Sequence, residues 1–348
     1  MHFHTSYVRF PIPPLERITA LITCSYLYKL QMVCLTPLPP CVVRQPRTGG
    51  QLEAVRRPAY LIGMADREKI TLATLRGRKK SRTPISMLTA YDFPTAQIEQ
   101  EAGIDCILVG DSAAQVVLGH GSTLQATMDY MIAISSAVRR GAPSVFLVGD
   151  MPYLSFHVNT EEAIRNAGRF MAEAGCDCVK IEGDHRIADT VRALTAATIP
   201  VMVHLGLRPQ AVHQFGGYRA QGRDAASAQR LIDDARRMED AGACALLLEA
   251  VPPEPAKIIT ESTELPVIGC GAGPHCDGQV VVLHDMLGLT AGPLPRFVKR
   301  YGEIRNRMTE AVRSYLTEVV ERRYPGAEHC YQMEPGEAEK LRGSSRGQ

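Results

Sequence analysis

The residues of this chain best placed to do chemistry are acids at the ends of short apolar runs. Asp111 closes Cys106-Ile-Leu-Val-Gly-Asp, Asp150 closes Ser144-Val-Phe-Leu-Val-Gly-Asp, Glu182 ends Cys178-Val-Lys-Ile-Glu, and Glu249 ends Cys244-Ala-Leu-Leu-Leu-Glu. Such runs read as buried strands of a parallel sheet, and a charge at the carboxyl end of such a strand lies where these sheets bind ligands. Asp111, Asp150 and Glu182 sit on successive strands, so their carboxylates are expected to converge. Three oxygen donors without a His/Cys cluster suit a hard cation, magnesium first, because it keeps positions open for water and substrate. Taken singly, each acid would more often be a helix cap or an ion-pair partner. The coincidence at three successive strand ends is what favours a metal site.

Lys180 and Glu182 are two apart on one strand and share a face. They form either a structural ion pair or, beside a metal, an ammonium that binds a substrate carboxylate. Ser112 can donate a hydrogen bond to the same substrate. His204, inward on Val201-Met-Val-His-Leu-Gly, either polarises or hydrogen-bonds a substrate carbonyl or is a satisfied core histidine. With three acids on the metal, Glu249 is left for proton transfer. The glycines between 269 and 273 are weak evidence for phosphate binding, since glycines also make tight turns.

Placing these groups around one mouth requires a particular sequence of elements. Strands are expected over 85–91, 106–112, 144–150, 178–182, 201–207, 244–251, 266–270 and 279–286, with helical patterns between most of them. Eight β-α alternations close a (β/α)8 barrel. The connection 208–223 is longer than a simple turn needs, which marks it as functional. A helix over 303–323 carries Ile304, Met308, Val312, Tyr315, Leu316 and Val319 on one stripe, which is expected to pack against the barrel, a subunit interface being the alternative. The barrel thus occupies 67–330, between an N-terminal extension, 1–66, and a polar tail, 331–348, expected to be disordered from 334.

The composition narrows the partners. A formal charge of +2 and the absence of tryptophan give no reason to invoke nucleic acid or a membrane surface, so small molecules are the expected ligands. Cys106, Cys178, Cys244 and Cys270 fall in or beside strands as small buried hydrophobes, which points to a reducing, cytoplasmic setting. The C-x-C pair Cys176 and Cys178 lacks the partners of a zinc or redox motif. The first 63 residues hold seven Arg/Lys against two Glu and no amphipathic period. Translation is expected to begin at Met64; a mitochondrial transit peptide is the alternative.

The ordered motifs Thr89-Ala-Tyr-Asp92, Val109-Gly-Asp-Ser112, Arg139-Arg-Gly-Ala-Pro143, Val179-Lys-Ile-Glu-Gly183, His204-Leu-Gly-Leu207 with Pro209-Gln210, Gly216-Gly-Tyr218, Leu248-Glu249 and Gly271-Ala-Gly273 carry a resemblance. From Lys69 to His329 the chain resembles the ketopantoate hydroxymethyltransferases, barrels of the phosphoenolpyruvate/pyruvate type. The resemblance implies magnesium held by Asp111, Asp150 and Glu182, keto-acid contacts from Ser112 and Lys180, and Glu249 as acid/base. It implies transfer of a hydroxymethyl group from 5,10-methylenetetrahydrofolate to 3-methyl-2-oxobutanoate through a magnesium-stabilised enolate, the first step of pantothenate and coenzyme A biosynthesis. It also implies a homo-oligomer, commonly a decamer. Gln115, Asp184 and Val203 depart from the family pattern, and Asp184, close to Glu182, is expected to disturb metal affinity. The competing readings are a magnesium-dependent C-C lyase of the isocitrate-lyase type and a non-catalytic barrel. The first usually carries a K-K-C-G-H-type loop, which this sequence lacks, and the second predicts loss of an acid that is present.

Overall fold

The computed structural model describes residues 67–344. Expectations about 1–66 and the last four residues lie outside it. Eight parallel strands pair in sequence order and the first closes on the last: β1 Ile85–Thr89, β2 Cys106–Val109, β3 Phe146–Asp150, β4 Cys178–Glu182, β5 Val201–Gly206, β6 Ala245–Glu249, β7 Val267–Cys270 and β8 Gly278–Val281. The main helices up to β8 are α1 Leu72–Ser81, α2 Phe93–Glu101, α3 Met128–Gly141, α4 Thr160–Ala172, α5 Ala188–Ala196, α6 Ala225–Asp240 and α7 Pro253–Ser262. The expected barrel is therefore the observed one.

The strands read as continuous apolar runs because both of their faces are covered. Ile107, Leu147, Val179, Val203 and Leu246 point outward and pack with Met131, Phe170, Leu194 and Met238 of the helices. Cys106, Leu108, Phe146, Val148, Cys178, Met202, Ala245 and Leu247 fill the barrel's interior. Side chains alternate along a strand, so the next inward positions are Asp150 after Val148, Lys180 and Glu182 after Cys178, His204 after Met202, and Glu249 after Leu247. A charged layer thus rests on the apolar core. At the opposite rim, Asp105 and Asp177 each precede a strand and accept hydrogen bonds from a neighbouring strand's backbone, at Ser86 and Leu147. Each also pairs with cations, Asp105 with Arg78 and Asp177 with Lys69 and Arg139.

Three expectations need correction. The eighth strand ends at Val281, and the residues assigned to its second half form the short helix Leu283–Met286. The C-terminal helix α8, Ile304–Val320, does not pack its stripe on the barrel: Met308, Val312, Tyr315 and Leu316 are each more than half exposed and no residue of the helix is buried. The polar tail carries a helix, α9, Glu337–Ser344, where disorder was expected. Among the described residues no helix is long and apolar enough to cross a membrane.

Glu99, on α2, is buried with neither carboxylate oxygen hydrogen-bonded. Burial, and then the charge of Asp92, pushes its carboxyl from the ordinary 4.5 up to about 8. The folded state therefore holds the proton more tightly, so stability is full below the unfolded value and falls as pH rises through the folded one. At roughly 1.4 kcal/mol for each tenfold change in proton affinity, the ionised residue costs a few kcal/mol in alkaline solution. Glu99→Gln should melt well above the wild type at pH ~9 and close to it at pH ~4. Thermal melts across that range check this; a gap that does not widen with pH would count against it.

Candidate active site

The strand pairing sets Asp150 beside Lys180 and Glu182 beside His204. Lys180 Nζ lies 2.8 Å from Asp150 Oδ1 and 3.7 Å from Glu182 Oε1. His204 Nδ1 lies 3.3 Å from Lys180 Nζ and 3.4 Å from Glu182 Oε1, while its Nε2 lies 3.3 Å from Glu249 Oε2. Asp111, in the turn after β2, donates its backbone N–H to Asp150 Oδ2 at 2.9 Å. The groups form one chain around the mouth, from Asp111 through Asp150, Lys180, Glu182 and His204 to Glu249. Asp111, Asp150, Lys180, Glu182 and His204 are buried, and the Glu249 side chain keeps 18% of its surface. All seven residues read as site candidates, Ser112 included, line a single cavity of about 660 Å³.

The electrostatics divides these groups. Burial opposes the charge on Lys180, but Asp150, Glu182 and Asp111 outweigh it and hold the ammonium protonated. Burial likewise opposes ionisation of Glu182, yet Lys180 and His204 hold its carboxyl below the ordinary range. Asp111 is pushed well above that range, by burial first and then by repulsion from Asp150 and Glu182; Asp150 is raised by burial, which Lys180 only partly offsets. For His204, burial and Lys180 disfavour protonation, but contact with Glu182 and Glu249 wins and raises it. If all three acids ionise, three carboxylates face one ammonium, and the two surplus charges are what a divalent cation supplies.

Several residues of this site escaped sequence reasoning. The Tyr91 hydroxyl lies 2.9 Å from Ser112 Oγ and orients it. Gln210 donates to both Glu182 and Asp111. Both belong to quoted motifs, so their presence was visible and their partners were not. Gly206, at φ +91°, sits where a Cβ would come within 2.4 Å of the Glu249 carbonyl oxygen, so only glycine lets β5 approach β6 beside the acid. The long connection after β5 contains the turn Pro209–Ala211 and the helix Val212–Phe215, and its Tyr218 and Arg219 form part of the cavity wall with Arg296 and Phe297. Gly271 is a seat for the Phe297 ring, 2.4 Å from where its Cβ would stand, and this accounts for the glycine-rich turn without phosphate.

Asp184 does not stand as an uncompensated charge beside Glu182. Its carboxylate is taken up by Arg186 and Arg208. Gln115, another departure, meets the Tyr218 hydroxyl across the cavity, and Val203 is an ordinary outward core residue.

Among the described residues no three His, Cys, Asp or Glu side chains close on one point as a finished metal cage. Lys180 and the Gln210 amide stand between the acids instead. The donor chemistry nevertheless fits a hard cation. Asp150 Oδ1 and Glu182 Oε1 are buried, faced by the Lys180 ammonium and the His204 ring without a well-aligned hydrogen bond, and among the described residues no cationic side chain lies within ion-pairing distance of Asp111. Magnesium takes one or two carboxylates and fills its remaining positions with water and substrate oxygens, so a closed protein cage is not required.

Comparison with known proteins gives the chain's relatives. Residues 69–327 match the family model described as ketopantoate hydroxymethyltransferase. A 3-methyl-2-oxobutanoate hydroxymethyltransferase of Syntrophomonas wolfei is 48% identical over 273 residues, covering 78% of this chain and 99% of its own. One from Thermoanaerobacter sp. (strain X514) is 49% identical over 270 residues, covering 78% and 98%. Among solved structures, a phosphoenolpyruvate phosphomutase from Streptomyces platensis subsp. rosaceus has a TM-score of 0.52 at 16% identity, over 79% of this chain and 96% of its own. A phosphonopyruvate hydrolase in complex with oxalate and Mg²⁺ has a TM-score of 0.50 at 15% identity, over the same shares. At that identity these two establish the fold alone. The long, nearly full-length identity to the first two proteins, together with a family match over most of the chain, goes further: this chain is an enzyme that belongs to the ketopantoate hydroxymethyltransferase family.

Proposed function

We propose that this enzyme transfers a hydroxymethyl group from 5,10-methylenetetrahydrofolate to 3-methyl-2-oxobutanoate, giving 2-dehydropantoate in the cytoplasm at the entry to pantothenate and coenzyme A biosynthesis. The observation that supports the reading is the chain of groups from Asp111 to Glu249 along one cavity, in which Asp111, Asp150 and Glu182 gather around Lys180 and a fourth, more exposed carboxylate, Glu249, stands across His204 from Glu182. Asp111, Asp150 and Glu182 would hold magnesium, which when bound supplies Lewis-acid withdrawal of electrons from the keto group. Lys180 offers its ammonium to the substrate carboxylate and to the negative charge that develops when the C3 proton leaves. The Ser112 hydroxyl, aimed by Tyr91, hydrogen-bonds the same carboxylate. Glu249 takes the C3 proton, and His204 orients it from one side while touching Glu182 on the other. The resulting C3 carbon nucleophile attacks the methylene carbon of the folate; both carbon–nitrogen bonds of that unit are broken, water supplies the hydroxyl oxygen of the new CH2OH group, and tetrahydrofolate leaves with the C3 proton and one proton of the water on its two nitrogens.

Self-association belongs to the same proposal. The uncovered apolar stripe of α8 is the kind of surface that marks a protein interface, and it supports a homo-oligomer, up to the decamer implied by family resemblance.

Full-length protein mixed with 3-methyl-2-oxobutanoate and 5,10-methylenetetrahydrofolate should form 2-dehydropantoate, followed by NMR, with magnesium and not with EDTA. Product that survives EDTA would remove the metal from the reading. Absence of product with magnesium, manganese and cobalt alike would remove the reaction.

A further inference from the structure

Gln210 lies in the first turn after β5 and is buried. Its backbone N–H donates to Glu182 Oε2 at 3.0 Å. Its side-chain Nε2 donates to Asp111 Oδ2 at 2.9 Å and to the Met151 carbonyl at 3.0 Å. One residue after β5 thereby ties together the ends of β2, β3 and β4. The reverse amide orientation would set Oε1 against two acceptors, so the donors must face them. Oε1 itself is buried and receives no hydrogen bond.

Charge explains why an amide serves here. A lysine or arginine would neutralise an acid and remove part of the negative surplus that attracts a cation; a glutamate would add repulsion. An amide supplies two directed donors and leaves the net charge alone.

Gln210 is in turn held through Arg208, two residues before it. Arg208 Nη1 donates to Asp184 Oδ2 at 3.0 Å, and its guanidinium lies 5.2 Å from the centre of the Phe215 ring. Asp184 is fixed by Arg186, whose nitrogens stand 2.7 Å from each carboxylate oxygen. The segment is therefore clamped by the β4 loop on one side and by its own aromatic on the other.

We propose that Gln210 is a positioning residue that aims the Asp111 and Glu182 carboxylates at a divalent cation, and that the Asp184–Arg208 pair holds Gln210 in place. This rests on the magnesium reading above. The probe is Mn²⁺ alone, titrated into the full chain with free Mn²⁺ read by EPR. Gln210→Met keeps the volume and removes both side-chain donors. It should weaken Mn²⁺ binding by about 10- to 100-fold, the range typical of groups that orient metal ligands. At saturating metal its kcat should change far less. Asp184→Asn should weaken binding in the same direction by a smaller factor. A folded Gln210→Met protein with wild-type Mn²⁺ affinity overturns the proposal, as does an Asp184→Asn effect larger than that of Gln210→Met. If Gln210→Met does not fold, unchanged affinity in Asp184→Asn overturns it. Wild-type protein that binds no Mn²⁺ overturns the magnesium reading and this role with it, whereas Mn²⁺ bound but indifferent to both substitutions overturns only the role of Gln210.

Discussion

Glu249→Gln should lose about 10²- to 10⁴-fold in kcat, the contribution typical of a positioned acid/base, with little change in KM for the keto acid. The amide fills the same space beside His204 and cannot take a proton. The step it removes can be watched without the folate. In D₂O the wild-type enzyme with its metal should exchange the C3 hydrogen of 3-methyl-2-oxobutanoate for deuterium, read by NMR as loss of the methine signal. The variant should not. Exchange at the wild-type rate would take the proton-transfer role from Glu249 and leave it as a partner of His204 alone.

Lys180→Met acts on stability and binding together. The ammonium is buried between Asp150 and Glu182, and removing it leaves the acids without their single fixed cation. Breaking a buried pair from one side costs about 3–5 kcal/mol, so the melting temperature should fall steeply. The same loss makes the site more negative, and added magnesium should therefore raise the melting temperature of the variant more than that of the wild type. The keto-acid KM should rise, because the substrate carboxylate has lost its counter-ion. A variant as stable as the wild type without metal would mean that the acids are not ionised around Lys180, and the charge argument for a divalent cation would fail with it.

Sequence reasoning reached far into the barrel for a physical reason. A parallel strand covered on both faces must be apolar throughout, so a charge at its carboxyl end stands out, and the alternation of side chains then says which way that charge points. The inward run from Phe146 and Val148 to Asp150, and from Cys178 to Lys180 and Glu182, is a matter of counting by two. The same counting misjudged the eighth strand, where the apolar stretch after Val281 suits a helix as well as a strand.

What the sequence by itself determined is the set of groups and their order around the mouth: the eight-fold β-α alternation, the acids at the ends of successive strands, the lysine sharing a face with Glu182, and the family motifs. The tertiary structure alone decided which groups touch. Gln210 and Asp111 are 99 positions apart and meet only because the barrel closes. The burial of Glu99 depends on how deep α2 sits, which a short helix with no marked apolar face does not reveal. The stripe of α8 shows in sequence that an apolar partner is wanted, but periodicity carries no information on whose surface supplies it, and in this chain the barrel does not. Periodicity is a local property of the backbone, whereas contact is a property of where distant segments come to rest.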